Sequence, residues 1–148
     1  MPVRVFVSTE NSAGDRARRI IEGMREAGLQ VTCSPVNPAV GHDPRWRGWY
    51  ETGCKEAIEA TDMFVAVVTA GYDGSTWMAI EAETAWLVTR DHSKPRLFLL
   101  KQNEKPLPAG FRRYEEAMAL LPMDPKAAVA ALLECGDKGD FGENPSEA

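Results

Sequence analysis

The sequence is poor in the residues that most readily announce metal or nucleophile chemistry. Its 148 residues include two histidines and three cysteines. His42 and His92 sit in loop-like segments without HExxH spacing, and no GxSxG occurs, so neither a zinc protease nor a serine-triad hydrolase is indicated. Cys33, Cys54 and Cys135 are odd in number and form no CxxC pair, which argues against a disulfide framework and a zinc site and leaves free thiols. There is no GxGxxG after the first strand-like segment and no Walker sequence, so a standard dinucleotide fold or P-loop enzyme is not supported. No apolar run approaches the length of a bilayer span, and "MPVRVFVS" opens on strand-like alternation rather than a signal-peptide core. A cytoplasmic protein with no membrane partner is expected. Positive charge is in deficit too: 17 basic against 22 acidic residues give a net charge of −5, which argues against nucleic acid as a partner. The basic clusters "DRARR" and "PRWRGW" read as solvated faces.

The hydrophobic fraction of 44% is ordinary, and the length suits one domain with a real core. "VRVFVS" alternates, with Val3, Val5 and Val7 on one side and Phe6 on the other, as in a strand. Ala17, Ile20, Ile21, Met24 and Ala27 then recur at helical spacing, and Gly28 stops that helix. "LQVTCS" is a second short strand. The Pro- and Gly-rich "PVNPAVGHDP" is a long loop, and a helix is expected from about Trp49 to Ala60, with Cys54, Ala57 and Ile58 as its apolar stripe. "MFVAVVT" and "RLFLL" are continuous apolar runs, the pattern of parallel strands covered on both faces. Between them, Ser75 caps a helix running to about Thr89. A weak fifth strand falls near Ala117 to Leu120, and Asp124 followed by Pro125 opens a last helix ending near Glu134. Residues 135–148 are small, polar and acidic, and read as a flexible tail.

Strands alternating with helices in this way predict an α/β open sheet, mostly parallel, with about five strands and helices on both faces. Ligands bind such sheets at the carboxyl ends of the strands. That edge gathers Ser8 to Gly14, Ser34 to Arg47 and Thr69 to Ser75.

One carboxylate is out of place. In the helix after Ser75, Trp77, Glu81, Thr84, Ala85 and Val88 fall on one stripe, because residues four apart stack on the same side. Glu81 therefore shares its side with packing residues, whereas Glu83 projects with Ala79, Trp86 and Arg90. An uncompensated buried charge costs several kcal/mol. Helical geometry leaves Glu81 at a cavity rim, hydrogen-bonded, or at the exposed edge of the stripe.

The segments "VFVSTENSAGDRARRIIEGMREAGLQV" and "GWYETGCKEAIEATDMFVAVVTAGYDGSTWMAIEAETA" resemble a Toll/interleukin-1 receptor (TIR) domain of the bacterial type, over about residues 3 to 134. The family's first box appears as Phe6-Val7-Ser8-Thr9, and its Ser-x-Trp-Cys-x-x-Glu pattern as Ser75-Thr76-Trp77-Met78-Ala79-Ile80-Glu81. Thr9 stands in place of the usual aromatic and Met78 in place of the cysteine, and the family's C-terminal Phe-Trp box is not recognisable in "FRRYEEAM". The resemblance implies a flavodoxin-like fold for residues 1–134. For the enzymes of the family it implies cleavage of the nicotinamide–ribose bond of NAD, with NAD as substrate and no cofactor or metal. Glu81 would be the catalytic residue, with Ser8, Thr9, Trp46 and Trp77 toward the substrate.

That chemistry suits a lone carboxylate. Glycoside hydrolysis ordinarily needs a second carboxyl to protonate the leaving oxygen, but nicotinamide leaves a cationic ring and departs neutral. Glu81 can hold ribose hydroxyls and stabilise positive charge at the anomeric carbon. The plainer reading of Trp77 is core packing, and of Ser8 and Thr9 turn capping. The resemblance also implies self-association, with the loop Pro35 to Arg47 and its Trp46 completing a neighbour's pocket. Two other functions remain open. One is a non-catalytic TIR assembly or signalling module. The other is a nucleoside N-glycosidase of the deoxyribosyltransferase type, which expels a neutral base and needs an added acid, for which Asp73 is near.

Overall fold

The computed structural model describes residues 3–9, 14–33, 54–68, 76–101, 114, 116–122 and 124–137, with backbone alone at 14–17, 76–79 and 136–137. Among them the elements are β1 (Arg4–Thr9), α1 (Gly14–Glu26), β2 (Gln30–Cys33), α2 (Cys54–Glu59), β3 (Met63–Val68), α3 (Thr76–His92), β4 (Arg96–Lys101), β5 (Ala119–Leu120) and α4 (Pro125–Asp137). The five strands form one sheet in the order β2-β1-β3-β4-β5, and every pairing is parallel. The alternation of apolar runs with amphipathic segments predicts such a parallel open sheet, and the strand order is the flavodoxin-like one that the family resemblance implies.

β3 is the middle strand, and all six of its residues are buried. Its alternation divides the core. Phe64, Ala66 and Val68 join Phe6, Leu97 and Leu99 against α2 and α3, while Met63, Val65 and Val67 join Val5, Val7, Phe98 and Leu100 against α1 and α4. Both faces are covered, which is why these strands read as continuous apolar runs rather than alternating ones. Phe6 and Phe64 are register partners and stack with centroids 5.7 Å apart and planes 6° from parallel, a cross-strand pair that adds to plain burial.

Local chemistry sets the helix ends. Gly28, at φ +92°, turns the chain after α1 where a side chain would be strained. At the start of α4 the Asp124 carboxylate accepts a hydrogen bond from the Ala127 amide at 3.0 Å, the cap expected before Pro125. Several boundaries differ from expectation. Ala27 lies one residue past the end of α1 and is exposed, although its amide still donates to the Gly23 carbonyl at 3.1 Å, so the apolar stripe ends at Met24. α3 runs to His92, beyond Thr89, and closes on Ser93 at φ 65°. α4 runs to Asp137, beyond Glu134, because Cys135 still packs against the core, so the helix ends when apolar contact ends. β5 is only Ala119–Leu120, both exposed, an edge strand with too little apolar pattern to bound from sequence. Residues 138–148 of the expected tail lie outside the described residues.

The amino edge of the sheet is closed by Asp62. Its carboxylate accepts from the Arg4 amide at 2.9 Å, its own amide donates to the Arg4 carbonyl at 2.8 Å, and its carbonyl accepts from the Arg96 amide at 3.0 Å. Three strands are thereby fixed at one end of the sheet.

Candidate functional site

The chain runs from β1 outward to β2 and then returns to place β3 on the other side of β1. In open α/β sheets ligands bind in the crevice at the carboxyl ends of the strands where the order reverses, and here the reversal falls between β1 and β3. Ser8 is the penultimate residue of β1, on the face shared with Phe6 and turned toward α3. Glu81 lies early in α3, the helix that follows β3.

These two residues meet. The Ser8 hydroxyl donates to Oε1 of Glu81 at 2.8 Å, and the side chains are 1% and 0% exposed. The other carboxylate oxygen, Oε2, is likewise shielded from solvent. Of the positions open to Glu81 on sequence grounds, the structure selects the buried, hydrogen-bonded one. Glu83, two residues on, is exposed, and Arg90 sits over the half-buried Trp86 ring at 5.4 Å. The two glutamates have the different environments that helical geometry assigned them.

Cys54, the first residue of α2, is 1% exposed and packs in the same core layer as Ala82 and Ala85, which follow Glu81 by one residue and by about one helical turn. Burial, reinforced by the charge of Glu81 and opposed by a hydrogen bond with Thr84, pushes its thiol up to about 12. Thr84 is one helical turn beyond Glu81, and its hydroxyl donates to the Ile80 carbonyl at 2.8 Å. Cys33, at the carboxyl end of β2, is also raised: burial is the main cause, Arg25 opposes it, and Glu81 adds to it. Both thiols are therefore neutral at pH 7.

Of the other expected site residues, Thr9 ends β1 half-buried, opposite Val67. Trp77 is the second residue of α3, with its side chain outside the described atoms, and Trp46, Asp73 and the loop Pro35 to Arg47 lie outside the described residues. The sequence did not single out Cys54 and Thr84 as neighbours of Glu81. Thr84 had a signal, the same stripe one turn on; Cys54 had none, because it depends on how α2 docks against α3. The fourth strand runs one residue beyond the expected Leu100, to Lys101. Among the described residues no cluster of histidine, cysteine and carboxylate side chains can hold a metal ion, and no helix is long and apolar enough to cross a membrane.

No model of a known family matches the sequence, and no curated protein does. Solved structures share the fold. The CMP N-glycosidase BcmB of Clostridium botulinum is 17% identical, with 87% of this chain and 97% of that one covered and a TM-score of 0.53. The signal receiver domain of the putative response regulator NarL from Mycobacterium tuberculosis is 19% identical over 92% and 97%, also at 0.53. A putative pilus assembly-related protein from Burkholderia pseudomallei is 15% identical over 92% and 90%, at 0.51. At these identities the likeness is one of fold.

Proposed function

We propose that the protein is an N-glycosidase that cleaves the bond between ribose and a nitrogenous base, with Glu81 as the catalytic carboxylate and NAD as its substrate. The observation that carries this reading is the buried hydrogen bond from Ser8 to Glu81, at the carboxyl edge of the sheet beside the β1/β3 crevice. A carboxylate kept only for solubility has no reason to lie fully buried. Withdrawn from water, it acts on a developing charge with little screening.

In the reaction, the bond between the anomeric carbon and the pyridinium nitrogen breaks and its electron pair goes to the ring, so nicotinamide leaves neutral. Positive charge builds on the anomeric carbon and ring oxygen, and the Glu81 carboxylate stabilises it. Water forms the new carbon–oxygen bond and loses a proton, giving ADP-ribose. The resemblance of the Ser8 and Glu81 segments to the two TIR boxes supports NAD as the substrate.

The fold shared with BcmB, an N-glycosidase of CMP, favours one second reading, hydrolysis of a nucleoside monophosphate. Cytosine departs from a neutral ring and needs a proton, for which Asp73 is the candidate. Incubation of the purified protein with NAD, CMP, other nucleotides and nucleosides, followed by separation of the products, distinguishes the two. Nicotinamide and ADP-ribose are expected from the wild type and not from Glu81→Gln. Release of cytosine from CMP with NAD untouched would move the substrate to the second reading, and no base released from any of them would remove the glycosidase reading.

A further inference from the structure

A cation stands on the same face and edge of the sheet as Ser8. Lys101 ends β4, half-buried and paired with Val68 at the last rung of the β3/β4 ladder. Leu97 and Leu99 pack in the layer with Phe6, Ala82 and Ala85, while Phe98 and Leu100 pack in the opposite one. Alternation with period two puts Lys101 on the side of Leu97 and Leu99, which is the side of Ser8 and Glu81.

The register gives its position. Ser8 pairs with Ala66 and Ala66 with Leu99, so Lys101 is two strands across from Ser8 and two residues farther toward the carboxyl edge. With about 4.8 Å between strands and about 3.3 Å per residue, the two α-carbons are roughly 12 Å apart. A lysine's flexible four-carbon stem spans much of that distance. Among the described residues the strands carry three cations, Arg4, Arg96 and Lys101, and the first two begin their strands at the edge held by Asp62. Lys101 is the one delivered to the carboxyl edge.

We propose that Lys101 binds the phosphate of a nucleotide whose base lies toward Glu81, an assignment that rests on the glycosidase reading for the identity of the ligand. The chain carries a net charge of −5, so an anionic ligand enters an unfavourable overall field and depends on a local cation. The compact ammonium serves as a point charge for phosphate. Separating the two charged groups across the sheet keeps the phosphate away from the Glu81 carboxylate and fixes the ribose between them. The site then discriminates nucleotides from nucleosides.

The test is binding of AMP, CMP, NAD and adenosine by titration calorimetry to the full chain carrying Glu81→Gln, which prevents turnover, with and without Lys101→Met or Lys101→Arg. Loss of a charge-assisted hydrogen bond weakens the nucleotides about tenfold to a hundredfold in Lys101→Met, leaves adenosine unchanged, and Lys101→Arg recovers most of the loss. Equal nucleotide affinity in Lys101→Met and its parent overturns the assignment, as does failure of the parent to bind any of the phosphate-bearing ligands. If the wild type releases no base but Lys101-dependent nucleotide binding persists, the glycosidase reading falls and the phosphate site stands.

Discussion

The hydroxyl of Ser8 and the carboxylate of Glu81, 73 positions apart in the chain, meet at 2.8 Å with both side chains sealed from water. The bond joins the end of the first strand to the helix that follows the third, across the reversal in strand order. It therefore links the two halves of the sheet at their carboxyl ends.

Ser8→Ala removes the donor and leaves the carboxylate in place. Removing a hydrogen bond to a charged group costs about 1.5–3 kcal/mol, so the urea midpoint should fall clearly. Glu81→Gln should cost less, because its side-chain carbonyl still accepts from Ser8, yet it should be the variant without turnover. A wild-type midpoint for Ser8→Ala would show that the bond contributes nothing to the folded state.

Glu83→Gln is the matching control on the same helix. Its side chain is exposed, so stability should stay within about 0.5 kcal/mol of wild type, with base release unchanged. Loss of turnover in a Glu83→Gln protein of normal melting temperature would transfer the catalytic role from one glutamate to the other.

Cys54 should make the protein sensitive to alkali. Its thiol is raised from 9.0 to about 12, so between those values the folded chain retains a proton that the unfolded chain has released. Stability from this group is full below pH 9 and falls as pH rises toward 12, approaching a slope of about 1.4 kcal/mol per pH unit. Urea midpoints from pH 8 to 11 should decline more steeply in wild type than in Cys54→Ala, which is less stable at pH 8 because it leaves a gap. Parallel declines would mean that the thiol titrates normally in the fold.

Two turns test backbone strain with little interference from packing. Gly28 has φ +92° with open space where a side chain would project, and Ser93 holds φ 65° at the end of α3. Gly28→Ala should destabilise by about 1 kcal/mol and Ser93→Gly should stabilise by up to about 1 kcal/mol, since a left-handed conformation costs an L-residue about that much. Thermal unfolding of both variants checks the signs, and shifts in the same direction would contradict them.

Much of the fold can be read from the chain because its determinants are local. Met63 to Val68 is an unbroken apolar run, Asp124-Pro125 is a helix start in two residues, and Gly28 is a stop in one. Glu81 was legible as a misplaced charge for the same reason: a helix's own period exposes it. What local pattern does not contain is partnership at a distance. Ser8 was expected at the strand end, but its bond to Glu81 depends on β3 inserting beside β1. Cys54 reaches the carboxylate's surroundings only through the docking of α2 on α3. β5 has two residues and both are exposed, so neither apolar run nor alternation marks its limits.

The strand order also has a consequence for synthesis. β1 is second in the sheet but first in the chain, and its inner neighbour β3 begins only at Met63. A ribosome that has released the chain through β2 presents β1 with α1 and β2 in place and no β3, so the stacking partner of Phe6 does not yet exist. Such an intermediate offers an unpaired strand edge and bare apolar surface, the features that draw nascent chains into aggregation or toward chaperones. The carboxylate emerges later still, in the helix after β3. A chain stalled before that helix has Ser8 without Glu81, so translation must pass α3 before the site can close.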